Sequence, residues 1–253
     1  MIRLILFFSL FAGPAMAERC AVLLHGLARK EASLLLMQET MEMEGWRVVR
    51  PGYPSRQAPV EELMRIVPRA VETCGTDKVD FVTHSMGGIL LRVWAGAAGD
   101  PRIGRVVMLG PPNQGSEVVD EFDDLASFEW INGPAGAQMG TGPNSLPRSL
   151  PPVPFEVGII AGNQSLNPVF SAILPGADDG KVSVRATGVD GMSDHLVLPV
   201  THTFMMNSAL VLAQTVEFLN TGAFDRDKSW FDAVQERLGC EGGDCFWEKN
   251  ADR

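Results

Sequence analysis

The chain has 253 residues, of which 45% are hydrophobic and 21% charged, with a formal net charge of −10. That acidic balance argues against nucleic acid and against anionic membrane surfaces as partners. The length suits one α/β domain with a sizeable core.

Residues 1–17 have the layout of a secretory signal peptide. Arg3 gives a basic start, Leu4–Ala12 an apolar run, and Ala15-Met16-Ala17 an A-x-A cleavage site. The run is shorter than the roughly 20 apolar residues that span a bilayer, and Gly13-Pro14 interrupts it. Cys20 lacks the small-residue context of a lipid-attachment cysteine. These features predict an exported protein, periplasmic or secreted, without stable membrane insertion; an uncleaved anchor is the alternative.

Apolar strand-like runs then alternate with helical patterns across 18–253. Cys20–Leu24 is the first strand. Residues 31–44 follow as a helix with Leu34, Met37 and Met41 on one face, stopped by Gly45. Trp46–Arg50 is the second strand. Pro59–Thr73 carries Val60, Leu63, Val67 and Val71 at helical spacing, with a kink or shortening expected at Pro68. Val79–Thr83, Arg105–Leu109, Phe155–Ala161 and residues 195–200 are strands three to six. Met86–Ala97 and Thr203–Asn220 are helices, the latter with Met205, Ala209, Leu212, Val216 and Leu219 on one face. Strand–helix repetition with near-continuous apolar strands implies a mostly parallel sheet of about six strands covered on both faces. Residues 111–154 break the rhythm. They are rich in Pro and Gly, carry Phe122, Leu125, Phe128, Trp130 and Ile131, and suit either a lid or a surface excursion packed on the core.

Four cysteines in an exported chain suggest two disulfides, for which three pairings exist. Cys240 and Cys245 bracket a short loop with two glycines, which leaves Cys20 to pair with Cys74. The spacing fits no zinc pattern.

The chemistry centres on Val79–His84 running into Ser85-Met86-Gly87-Gly88. A serine on a sharp strand-to-helix turn presents its hydroxyl, and the turn needs small residues around it. Gly87 meets that need, whereas Thr83 stands where a glycine is usual. Such a serine requires a base, an acid that orients the base, and donors for an oxyanion. Leu24-His25-Gly26 ends the first strand, so the N–H of Leu27 and that of Met86 at a helix N-terminus are the candidate oxyanion donors. Of the four histidines, His25 precedes the serine and His84 adjoins it, pointing elsewhere. His202, in a short loop between strand and helix, is favoured as base over His195, whose alternative is a structural role near Asp194. Asp179 before Gly180 is the favoured acid, with Asp178, Asp190 and Asp194 as competitors.

These stretches, together with Gly110-Pro111-Pro112-Asn113-Gln114-Gly115-Ser116 after the fourth strand and Asp179-Gly180-Lys181-Val182, resemble the α/β-hydrolase superfamily in its bacterial lipase and esterase branch. The similarity covers roughly residues 20–220 and leaves a C-terminal extension, 224–253, outside it. The resemblance implies Ser85 as nucleophile, Asp179 as orienting acid and His202 as base; an acyl-enzyme made by such a triad requires no cofactor, and the sequence departs from the family in offering no calcium ligands to carry over. It implies an exported serine hydrolase acting on small-molecule or lipid esters. Rival readings are a thioesterase, amidase or acyltransferase with the same triad, or a non-catalytic binding protein on this scaffold. The motifs imply no particular oligomeric state.

Overall fold

A computed structural model describes residues 19–122, 126–241 and 244–245, with side chains for all of these except 126–131, 240–241 and 244–245. The expected leader, 1–17, lies outside the described residues. Six strands form one parallel sheet: β1 (Arg19–Leu24), β2 (Trp46–Val49), β3 (Val79–His84), β4 (Ile103–Leu109), β5 (Val157–Gly162) and β6 (Asp194–Leu198), in the order β2-β1-β3-β4-β5-β6.

The helices are α1 (Leu35–Met43), α2 (Val60–Leu63), α3 (Ile66–Cys74), α4 (Met86–Ala98), α5 (Glu117–Phe122), α6 (Ala126–Ala137), α7 (Leu146–Ser149), α8 (Pro168–Ile173), α9 (Val184–Thr187), α10 (Ala209–Thr221) and α11 (Trp230–Arg237). Alternation along the strands divides the core in two. Val22, Leu24, Phe81 and Met108 pack with Val67 and Val71 of α3 and Leu90 and Trp94 of α4. Ala21, Leu23, Val82 and Val107 pack with Met37 and Met41 of α1 and Val211 and Phe218 of α10. Because both faces are covered, the strands have no polar side to display and read as near-continuous apolar runs, with polar residues such as Arg47, Asp80 and Asp194 placed chiefly toward the strand ends.

The strand order reverses between β1 and β3, which pair with Leu24 opposite Thr83. The loops leaving these two strands therefore diverge to opposite faces and open a crevice at their carboxyl ends.

Some boundaries differ from the sequence expectation. The 59–73 helix is two helices, broken at Met64-Arg65, and Pro68 is the third residue of α3. In a first turn the missing N–H had no intrahelical acceptor to lose, so Pro68 neither kinks nor ends the helix. The helix expected from Thr203 begins at Ala209, after a single 3-10 turn over Met205–Asn207. Phe224 and Ala233, in the C-terminal segment, are buried beside α10.

Cys20 of β1 and Cys74 at the end of α3 form a disulfide, with their Cα atoms 5.8 Å apart. The backbones of Cys240 and Cys245 face each other across a short antiparallel pair, β7 (Cys240–Glu241) with β8 (Asp244–Cys245). The bridge expected between them falls on side chains outside the described residues. Among the described residues, no helix is long and apolar enough to cross a membrane.

Candidate active site

Ser85 sits between β3 and α4 with φ 54° and ψ −126°, a backbone conformation that costs a non-glycine residue on the order of 1–3 kcal/mol. The surroundings enforce it. The Ser85 N–H donates to the Leu109 carbonyl at 2.8 Å, and the Gly88 N–H donates to the Ser85 carbonyl at 3.0 Å. A Cβ on Gly87 would lie 2.5 Å from the Leu24 carbonyl oxygen, so only glycine lets α4 start this close to the end of β1. Thr83 is buried, and its Oγ1 would be 3.2 Å from a Cβ on Gly88. The second glycine thus makes the space that the threonine occupies.

The hydroxyl of Ser85 is 3.0 Å from His202 Nε2, and His202 Nδ1 is 2.7 Å from Asp179 Oδ2. A carboxylate can only accept, so Nδ1 carries the proton and Nε2 is left to accept from Ser85. The other oxygen, Asp179 Oδ1, accepts the backbone N–H groups of Lys181 at 3.0 Å and Val182 at 2.8 Å. The His202 N–H in turn donates to the Asp179 carbonyl at 2.9 Å. Asp179 and His202 are both buried.

The competing residues are engaged elsewhere. His195, on β6, shares a hydrogen bond with the Thr187 hydroxyl at 2.8 Å, and burial pushes its pKa down. Asp178 accepts from the Ser171 hydroxyl and the Gly180 N–H and shapes the turn rather than meeting His202. Arg226 beside Asp194 holds that carboxyl down at about 2. Asp190 is exposed on the surface, with its backbone carbonyl accepting the Val153 N–H, and does not meet His202, whose Nδ1 is paired with Asp179.

His84 departs from expectation. Rather than pointing away, it lines the same cavity as Ser85, and its Nε2–H donates to the His202 carbonyl at 3.0 Å. Burial, followed by the proximity of His202, pushes its pKa well below 6.5, so the ring is neutral and holds the His202 loop by one hydrogen bond.

Leu27 follows a turn with its own supports. His25 stacks on Tyr53 with ring centroids 3.8 Å apart, and the Tyr53 hydroxyl donates to the His25 carbonyl. The Ala28 N–H donates to Ser55 Oγ at 3.1 Å, and Ala28 has φ 55°. Met86, the first residue of α4, has no intrahelical acceptor for its N–H.

These groups open into a cavity of about 490 Å³. Leu27, Val118, Val119, Met139 and Val182 form much of its apolar wall, and the rings of Phe122 and Phe170 meet at 5.7 Å. A larger groove, about 1110 Å³, lies at the opposite end of the strands, lined by Arg19, Asp80, Asp100 and Glu156, with no serine or histidine among the described residues that line it. Ligands of open parallel sheets bind at the carboxyl ends, where the smaller cavity lies.

Part of this wall comes from the 111–154 insertion, whose two ends are tied to α4 through Arg92. That buried guanidinium donates to the carbonyls of Asn113, Pro147, Leu150 and Pro151 and to Asn113 Oδ1, at 3.1–3.3 Å. Burial lowers its pKa to about 10, which leaves it charged at neutral pH. Asn113 Nδ2 reaches the Thr187 carbonyl and Ser116 Oγ the Lys181 carbonyl, stitching the insertion to the loop that carries Asp179. Tyr53, Ser55 and Arg92 had no motif to announce them, and the motif around Ser85 did not announce the bond that His84 makes; these roles arise from contacts 20 or more residues away along the chain. Among the described residues, no group of three or more His, Cys, Asp or Glu could hold a metal ion.

No family model matches the chain. It is similar in structure to Bacillus licheniformis lipase BlEst2 in mature form, with 18% identity and a TM-score of 0.65, over 82% of this chain and 94% of that one. It is similar to phospholipase PlaB from Legionella pneumophila, with 14% identity and a TM-score of 0.61; the match covers 86% of this chain but 62% of that one. A monoacylglycerol lipase from Paleococcus ferrophilus has 16% identity and a TM-score of 0.54, over 80% of this chain and 94% of that one. With the six-stranded parallel sheet and its strand order, these likenesses establish that the chain has the α/β-hydrolase fold.

Proposed function

We propose that this protein is an exported serine hydrolase that cleaves carboxylic esters, with lipid esters the favoured class. The observation that carries the reading is the unbroken relay from Ser85 through His202 to Asp179, opening on a cavity with an apolar wall. Ser85 Oγ attacks the acyl carbon while His202 Nε2 takes its proton. Asp179 keeps the imidazole in the receptive tautomer and stabilises the imidazolium that forms. The N–H groups of Leu27 and Met86 hold the oxyanion, the second aided by the dipole of α4. The bond to the leaving alcohol breaks as His202 returns the proton to it. Water, deprotonated by His202, then attacks the acyl-enzyme and releases the acid and Ser85. Nothing in this sequence of steps calls for a cofactor.

The lipolytic activities named for the structural neighbours support the ester reading, and the apolar wall supports an acyl chain as the group it accepts. In this reading the 111–154 insertion is the acyl-binding wall, and a lid role predicts a rate jump above the solubility limit of the ester. The Cys20–Cys74 disulfide supports an oxidising compartment.

A fluorophosphonate probe should label Ser85, and Ser85→Ala should lose roughly 10⁶ in turnover of a chromogenic ester. An unlabelled folded protein would return the reading to a non-catalytic binding protein. Faster turnover of a matched thioester or amide, or transfer to an added alcohol, would reassign the leaving group or acceptor. N-terminal sequencing of the protein recovered from its producing cell should begin at Glu18 in the exported fraction.

A further inference from the structure

The cavity beside Ser85 holds two cationic side chains, Arg29 and Lys181, and among the described residues no carboxylate lines it. This is unusual placement in a chain with a net charge of −10. Among the described residues, neither cation has a carboxylate within 4.0 Å. Both are fixed by the segments that carry the proposed chemistry. Arg29 follows the Gly26–Ala28 turn, and its Nη2 donates to the Thr203 carbonyl, next to His202, at 3.2 Å. Lys181 donates its backbone N–H to Asp179 Oδ1, and its carbonyl accepts from Ser116.

Holding two like charges in one partly desolvated space costs free energy. Lys181 is exposed as a whole residue, yet burial around its ammonium lowers its pKa and Arg29 lowers it further, with the Asp179 carboxylate opposing the shift only in part. An anion seated between them would offset that cost.

Their position within the cavity matters as much as their charge. The apolar side chains Val118, Val119, Phe122 and Met139 come from the insertion, whereas Arg29 and Lys181, with the apolar Leu27 and Val182 near them in the chain, belong to the loops beside His202 and Asp179. In the proposed reaction the leaving oxygen must lie next to His202 Nε2 to receive its proton, so the alcohol half of the ester is directed to the cationic side. Resting on the ester-hydrolase reading, the geometry points to an anion subsite, Arg29 with Lys181, that takes a phosphate group on the alcohol half of a lipid ester. The acyl chain lies along the insertion wall, and the products are a free fatty acid and a phosphorylated alcohol.

The test compares two monoacyl esters with the same medium-length chain, a monoacylglycerol and its phosphate monoester, below their solubility limits and in neutral vesicles. Wild type should show a kcat/KM ratio of phosphorylated to neutral ester of at least about ten, expressed in KM, because a charge-assisted contact contributes at least a tenfold effect. Arg29→Gln and Lys181→Gln should each lower that ratio about tenfold, while Arg29→Lys and Lys181→Arg retain most of it. Fluorophosphonate labelling verifies that each variant is folded. A wild-type ratio near one, or a ratio unchanged in the double glutamine variant, overturns the subsite while leaving ester hydrolysis standing. A preference seen only in vesicles also overturns it, because it then arises at the lipid surface. If neither ester is cleaved, the hydrolase reading itself fails, and a titration with glycerol 3-phosphate decides the subsite separately. Binding to wild type but not to the double variant supports it, and equal or absent binding overturns it.

Discussion

The strand–turn–helix that carries Ser85 and the 111–154 insertion enclose the same cavity, but they are held by different forces. Around Ser85 the constraint is local and made of backbone: a strained φ, two main-chain hydrogen bonds, and a glycine seated against the Leu24 carbonyl. The insertion has backbone contacts of this kind too, at Gly115 and Gly133, where a Cβ would collide with the carbonyl oxygens of Gly140 and Arg56 respectively, but it adds a support that the Ser85 turn lacks. It is anchored at both ends by one buried guanidinium that gathers four backbone carbonyls and one side-chain amide. Close packing of backbone tolerates almost no change, whereas a charged side chain can hold segments of varied sequence because every residue supplies a carbonyl. The turn that carries Ser85 rests on the first kind of support, whereas the insertion combines both.

This contrast can be broken most forcefully at Arg92. Arg92→Met should destabilise the protein by about 3 kcal/mol, because the carbonyls it served stay buried without donors. For a chain of this size the melting temperature should fall by roughly 10 °C. Limited proteolysis should cut first within 111–154; first cuts elsewhere would show that the bonds of Asn113 to Thr187 and of Ser116 to Lys181 hold the insertion without Arg92. Gly87→Ala should cost about 1–3 kcal/mol and reduce turnover on esters of every chain length alike, since it shifts Ser85 itself. A chain-length-dependent loss would place Gly87 with the wall instead. Met139→Ala should do the reverse, lowering kcat/KM about tenfold for long acyl chains and little for acetyl esters.

The smallest effect concerns pH. His84, His25 and His195 all have pKa values pushed below 6.5, chiefly by burial. Below about 6.5 the unfolded chain binds protons that the folded chain refuses, so their contribution to stability is complete above that pH and is lost as pH falls. His84 faces His202, Arg29 and Lys181, all of which oppose its protonation. Denaturant unfolding measured from pH 7.5 to 5 should therefore show falling stability, with the slope reduced by about one proton in His84→Asn. An unchanged slope would mean that His84 is charged or accessible in the folded protein.

Much of the chemistry was legible because it depends on short-range pattern. An apolar run ending at His84-Ser85, glycines after it, and Asp179 and His202 in the loops that follow later strands pointed to the grouping that the structure places at 2.7 and 3.0 Å. His195 and the other acids were separable only in three dimensions, through Thr187, Arg226 and Ser171. Thr83 looked like a defect in the turn because its counterpart, Gly88, is matched to it by side-chain direction rather than by spacing. The helix boundaries at Met64-Arg65 and Ala209 escaped the apolar periodicity because one 3.6-residue stripe can continue across a break in the helix.

By itself, then, the sequence determined the strand–helix alternation, the two-sided burial of the sheet and the order of serine, acid and histidine. Each follows from side-chain periodicity or from the needs of a single turn. Only the tertiary structure decided that β1 and β3 lie side by side, that His84 steadies the His202 loop, that Arg92 secures the insertion, and that Arg29 and Lys181 share a cavity with Ser85. Those arrangements join residues far apart in the chain through hydrogen bonds to backbone carbonyls and through shared space. A carbonyl is present at every position and leaves no mark in the sequence of the residue that offers it.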